Sequence, residues 1–115
     1  FEITPPHLTP VSPDFYDDLG TYAQMNPPIR SKDHQDRLWY AVKNNFVDII
    51  GSDHAPHLKV NKEKKYPQSP SGMPGVQTLL PIMLDHVNRN RLTINQLVSF
   101  VCENPVKIFN INISS

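Results

Sequence analysis

An α/β fold assembled from βα units is the class that the sequence predicts, and three observations predict it. Two short apolar segments, residues 1–4 and 46–51, are separated by a stretch with helical spacing. The second, Phe46-Val47-Asp48-Ile49-Ile50-Gly51, is nearly continuous and rich in branched side chains, which suits a parallel strand buried on both faces. Directly after it stands Ser52-Asp53-His54-Ala55-Pro56-His57, a titratable cluster at the strand end where a TIM-type barrel places its chemistry. Two strands cannot close a barrel, so the missing strands are expected outside these 115 residues. The opening Phe1-Glu2-Ile3-Thr4, which reads as a strand under way without an initiator methionine, adds to that expectation.

Each element follows from local chemistry. The first strand must stop at Pro5-Pro6, because proline has no N–H for a sheet ladder, and a loop is expected next. Residues 10–30 carry Pro13, Gly20, Pro27 and Pro28 and read as irregular, with a helical turn near residues 14–19. Ser31 is placed to cap a helix over residues 32–44, with Leu38, Trp39, Val42 and Phe46 near helical spacing. Residues 58–75 read as a long loop, lysine-rich and then proline- and glycine-rich. A loop of that length is either functional or, for its lysine-rich half, a solvated excursion. Val76, Leu79, Leu80, Met83, Leu84 and Val87 predict a helix over residues 75–89. Thr93 and Gln96 form a capping box, with Leu92 and Leu97 as its hydrophobic staple, for a helix to about residue 103. Asn104-Pro105 is expected to stop that helix and start a last one through Phe109, followed by a tail from Asn110. The expected organisation is therefore 1–57 for two strands and their helix, 58–75 for the loop, and 76–110 for C-terminal helices.

Composition excludes several function classes. Eleven basic residues balance eleven acidic ones, so the net charge suggests no electrostatic footprint for nucleic acid or anionic lipid. Apolar runs fall far short of the roughly 20 residues of a membrane span. Cys102 is the lone cysteine, which rules out an internal disulfide framework, fits a cytoplasmic setting and reads as a core thiol. The expected partner is a small molecule.

Asp53 is the residue on which chemistry would centre. An aspartate after a buried strand can hold a divalent metal through oxygen and can take a proton from water. By residue type alone a second reading stands beside it, in which Asp53 satisfies backbone donors in a turn and the histidines lie on the surface. A catalytic zinc takes at least three protein ligands, and the chain offers no complete set. His34 and His86 fall within expected helices and read as surface or packing residues, and Trp39 as core.

Four blocks in order carry a family resemblance. Residues 48–57, Asp-Ile-Ile-Gly-Ser-Asp-His-Ala-Pro-His, resemble the eighth-strand signature of class I dihydroorotases, members of the amidohydrolase superfamily. Glu2-Ile3-Thr4-Pro5 before His7-Leu8 resembles the seventh-strand segment, and Met25-Asn26-Pro27-Pro28-Ile29-Arg30 the Asn-Pro-Pro-Leu-Arg block. Ser71-Gly72-Met73-Pro74-Gly75-Val76-Gln77-Thr78 resembles the glycine-rich substrate loop. The resemblance implies the C-terminal part of a (β/α)8 metal-dependent hydrolase barrel, incomplete in this chain. Asp53 would ligate one of two zinc ions and act as general base and acid in the reversible interconversion of dihydroorotate and N-carbamoyl-L-aspartate, a step of pyrimidine biosynthesis. Asn26, His57, Ser71 and Gly72 would hold the substrate, and His54 would orient neighbouring groups. The family's remaining ligands, a His-x-His pair, a carbamylated lysine and two histidines, lie upstream in relatives, so this segment alone should be inactive. The implied partners are the rest of the same polypeptide and further copies of it in a homo-oligomer. Thr4-Pro5-Pro6-His7 departs from the family's Thr-Pro-His-His and leaves the role of His7 open. Two alternatives remain: an allantoinase- or hydantoinase-type enzyme, and an inactive structural partner of aspartate transcarbamoylase.

Overall fold

Helix ends and proline positions explain most of the architecture. The computed structural model of the chain describes residues 1–112. Strand β1 (Glu2–Ile3) leads into a helical turn, α1 (Pro5–Leu8), then α2 (Asp14–Leu19) and a 3-10 turn (Gly20–Ala23). Helix α3 (Lys32–Lys43) connects to β2 (Ile49–Ile50), followed by α4 (Lys59–Lys62), α5 (Leu79–Asn88) and α6 (Ile94–Val98). A π turn (Ser99–Glu103) joins α6 to α7 (Asn104–Ile108).

Strands β1 and β2 pair in parallel, with Glu2 opposite Ile49 and Ile3 opposite Ile50, and α3 makes the crossover. The expected βα unit is present, although the second strand covers two residues instead of six. The cause lies at the end of α3, where Asn45 takes φ +56° and the N–H groups of Asn45 and Phe46 bond back to Val42 and Ala41. This Schellman closure sweeps Phe46 off the helix, so it is 61% exposed instead of joining the buried stripe. Within this chain Ile50 is buried and Ile49 half-buried, so the strand is fully covered on one face only.

Four further expectations are corrected. Pro5 and Pro6 start a helical turn instead of a loop, as suits residues with a fixed φ and no N–H to satisfy. Ser31 stands at the N-cap of α3, but its hydroxyl meets His34 Nδ1 at 3.0 Å and makes no backbone cap. Helix α5 starts at Leu79, and Leu80 and Leu84 are exposed while Met83 is fully buried. Cys102 is exposed on the π turn. That turn also lets the helix run on through Pro105: widening the backbone upstream accommodates a residue that lacks an N–H and crowds the preceding turn. Part of the tail expected from Asn110 lies outside the described residues.

The core joins β1, β2 and the inner faces of α1, α3, α5 and α6 through Ile3, Leu8, Trp39, Val42, Val47, Ile50, Met83, Leu92, Leu97 and Phe100. Trp39 anchors it by donating its indole N–H to the Leu8 carbonyl at 3.0 Å. The capping box at Thr93 and Gln96 forms as expected, and both staple residues are buried.

Candidate active site

Backbone geometry at the end of β2 sets out the site. Gly51 lets the Glu2 carboxylate lie against the backbone there, 2.5 Å from where a Cβ would stand, so a side chain at this position would make Glu2 swing aside. Two residues later Asp53 adopts φ +45°, a left-handed conformation that aspartate tolerates better than most residues. Its carboxylate is exposed and lies outside every ion pair among the described residues. Asp53 lines a cavity of about 610 Å³ together with Thr4, His7, Asn26, Arg30 and His34.

His7 braces one wall. Its Nε2 lies 2.9 Å from the Pro27 carbonyl, which can only accept, so this nitrogen carries the proton. Nδ1, 2.7 Å from Thr4 Oγ1, then accepts from the hydroxyl. His7 thus ties the end of β1 to the Asn26-Pro27 turn.

His54 and His57 take different tasks. His54 Nδ1 accepts from the Gly75 and Val76 N–H groups at 3.0 and 3.3 Å, so this ring holds the glycine-rich loop. A parallel bridge between His54 and Met73 and the Ala55 N–H bond to the Met73 carbonyl reinforce the attachment. His57 donates from Nε2 to the Ser71 carbonyl at 2.9 Å. Gly72, at φ +131°, packs so closely that a Cβ would stand 2.7 Å from Ala55 Cβ and 3.0 Å from His57 Nε2. The missing side chain thus lets the loop pack against the Asp-His-Ala-Pro-His run.

The residues singled out in the sequence form two adjoining groups. Asp53 and Asn26 share the large cavity, while His57, Ser71 and Gly72 cluster on the loop. Asn26 and Ser71 also line a second cavity of about 490 Å³, together with Tyr16, Gln24 and Tyr66.

Two contributors escape sequence reasoning. Lys62, from the lysine-rich half of the loop, is buried, and its Nζ donates to the carbonyls of Gln24, Pro70 and Gly72. Burial pushes its pKa down from the usual lysine range. Gln24 donates from Nε2 to the Ser69 carbonyl and to Ser71 Oγ. Nearby, a hydrogen bond to Glu63 raises the pKa of Tyr22, with burial and the glutamate's charge adding to it. No sequence signal separates Lys62 from Lys59, Lys64 and Lys65.

Among the described residues no three histidine, cysteine or acidic side chains gather as a metal set. Asp53 fits as one oxygen ligand, and the other ligands of a metal would have to come from outside this chain. None of the described helices is long and apolar enough to cross a membrane.

Known proteins sharpen this picture. No family model matches the chain. The dihydroorotase of Halobacterium salinarum is 37% identical over 110 residues, which is 96% of this chain and 26% of that protein. The L-hydantoinase of Paenarthrobacter aurescens is 36% identical over 110 residues, covering 92% of this chain and 24% of that protein. Among solved structures, L-hydantoinase from Arthrobacter aurescens superposes with a TM-score of 0.89 at 36% identity, over 95% of this chain and 25% of that one. The chain therefore spans about a quarter of the length of the relatives it matches, and its structural neighbours are amidohydrolase barrels.

Proposed function

Since this chain is a dihydroorotase-like segment that matches the C-terminal part of cyclic amidohydrolases, we propose that it contributes the proton-transferring carboxylate and the substrate loop of a reversible cyclic-amide hydrolase. The observation that carries the reading is Asp53, an exposed carboxylate beyond the C-terminal end of a parallel strand, sharing one cavity with Asn26. In ring opening, water adds across the amide C–N bond. The Asp53 carboxylate takes the proton released by the attacking water and delivers it to the leaving ring nitrogen. Ring closure reverses both transfers.

The substrate pair we favour is dihydroorotate and N-carbamoyl-L-aspartate, in pyrimidine synthesis. Asn26 offers an amide to the ring's polar edge, and the backbone at Ser71 and Gly72 offers further contacts. His57 commits Nε2 to Ser71, which leaves Nδ1 for a substrate carboxylate. As an imidazolium, that nitrogen donates. Zinc is the metal this chemistry implies, with Asp53 as one ligand. Bound there, it would polarise the carbonyl and lower the pKa of a water. Hydantoin ring opening is the second reading, favoured by the close superposition on an L-hydantoinase.

The test is a ring-opening assay of the full-length polypeptide on dihydroorotate and on 5-substituted hydantoins. Turnover of dihydroorotate above that of every hydantoin supports the first reading, and the reverse order selects the second. Asp53→Asn should lower kcat by about 10²–10⁴-fold with the fold retained, and near-normal turnover rejects the proton-transfer role. His57→Ala should mainly raise KM.

A further inference from the structure

We propose that Lys62 is a positioning residue, an ammonium clasp that fixes the loop bearing Ser71 and Gly72 against the turn bearing Asn26. Its bearing on substrate rests on the reading above, in which those three residues hold the ligand. The clasp itself rests on geometry.

Lys62 belongs to a run of four lysines, of which Lys59, Lys64 and Lys65 are exposed. Lys62 is 6% exposed. An ammonium carries three N–H donors, and all three are used: to Gln24 O at 2.9 Å, Pro70 O at 3.0 Å and Gly72 O at 3.1 Å. A buried charge persists only when its hydrogen bonds are made, and bonds from a charged donor are about twice as strong as neutral ones. The acceptors are backbone carbonyls from two segments more than forty residues apart. One lies two residues before Asn26, and the other two flank Ser71.

The skipped carbonyl completes the pattern. Ser71 O turns to His57 Nε2, so Lys62 and His57 hold consecutive carbonyls of the same three-residue stretch. Gln24 O is shared, accepting from Lys62 Nζ and from the Gly72 N–H at 3.0 Å. Helix α4 is a single turn, and Thr21 Oγ1 holds it by donating to the Lys62 carbonyl. Methionine, of similar length, would leave the Pro70 and Gly72 carbonyls without this donor and Gln24 O with the Gly72 N–H alone. Arginine carries a planar fork that cannot reproduce a three-way grip in the same space.

The experiment uses the full-length protein. In the wild type, acetic anhydride should modify Lys62 at least about tenfold more slowly than Lys59, Lys64 and Lys65. In Lys62→Met, hydrogen exchange at the Gly72 amide should accelerate by about tenfold or more while the Val42 amide in α3 is unchanged. KM for the cyclic amide should rise about tenfold with kcat within a factor of three. In Lys62→Ala, propylammonium, which replaces the deleted atoms, should restore both exchange protection and KM, whereas 1-propanol should not. Equal modification of the four lysines, unchanged Gly72 exchange, or equal rescue by the alcohol overturns the clasp. Should the full-length protein open no cyclic amide, labelling and exchange still judge Lys62, so failure of the enzyme reading is distinguishable from failure of the clasp.

Discussion

His86 holds one proton in the core, and its neighbours decide where. Thr9 Oγ1 donates its hydrogen to the Pro5 carbonyl at 2.8 Å, so the 3.0 Å contact to His86 Nε2 must be a bond from the imidazole N–H. That leaves Nδ1 a bare, buried acceptor with no partner among the described residues. The ring stands edge-on to Trp39, with centroids 4.7 Å apart, and the Arg91 guanidinium lies over the same indole. Burial first, then the Arg91 charge, push the His86 pKa below its usual 6.5. The unfolded chain therefore binds the proton more readily than the folded one. Stability should be full above about pH 6.5 and decline as pH falls below it, levelling once the lowered folded-state value is passed. Urea denaturation of the full-length protein across pH 5–7.5 should show this slope, and His86→Gln should flatten it. Helical spacing left His86 as either a surface or a packing histidine, and the structure makes it packing; Asp53 stood beside a turn-capping alternative until the ordered family blocks singled it out. The sequence could not mark Lys62, because carbonyls contributed by distant segments, not the lysine's neighbours in sequence, create its site.

Helix ends show a recurring device. Asn45, Asn90 and Asn110 take φ values of 56°, 57° and 50°, each just past a helix, and the following N–H reaches back to the last turn. Asparagine enters this left-handed region more readily than other side-chain-bearing residues. Asn90→Ala should cost about 1 kcal/mol, measured as a lowered denaturation midpoint. At the start of α6, Thr93→Ala removes the bond to the Gln96 N–H and should cost about 1 kcal/mol as well. Gln96 has a second task, since its Nε2 bonds Asn45 Oδ1 and so joins the start of α6 to the end of α3. The capping box was legible because it depends on residues three apart. The π turn was not, because it answers Pro105 from several residues upstream. The trimmed second strand was missed for a related reason: the turn ending α3 consumes residues whose composition suits a strand.

At the scale of the molecule the chain is open and elongated. Its radius of gyration is 15.3 Å, against about 13–14 Å expected for a compact domain of this length, and its extents are 47 × 32 × 22 Å. Phe46, Leu58, Val60, Val76 and Phe109 are more than half exposed. The 115-residue segment by itself should bind a hydrophobic dye such as ANS and unfold over a broad denaturant range, while the full-length protein should do neither. A dye-silent, sharply cooperative segment would reject this. The incompleteness was legible from two strands and an ordered set of motifs. The Asp53 cavity was not, because its lining from the β1 end, the Asn26 turn and α3 comes together only on folding. The same incompleteness gives the β1–β2 pair a specific use. Each strand bonds its neighbour along one side, so among the described residues each keeps an open row of N–H and C=O groups on the other. A further strand would pair along either row. These rows are the places where further strands of a barrel like those of the structural neighbours would join this pair.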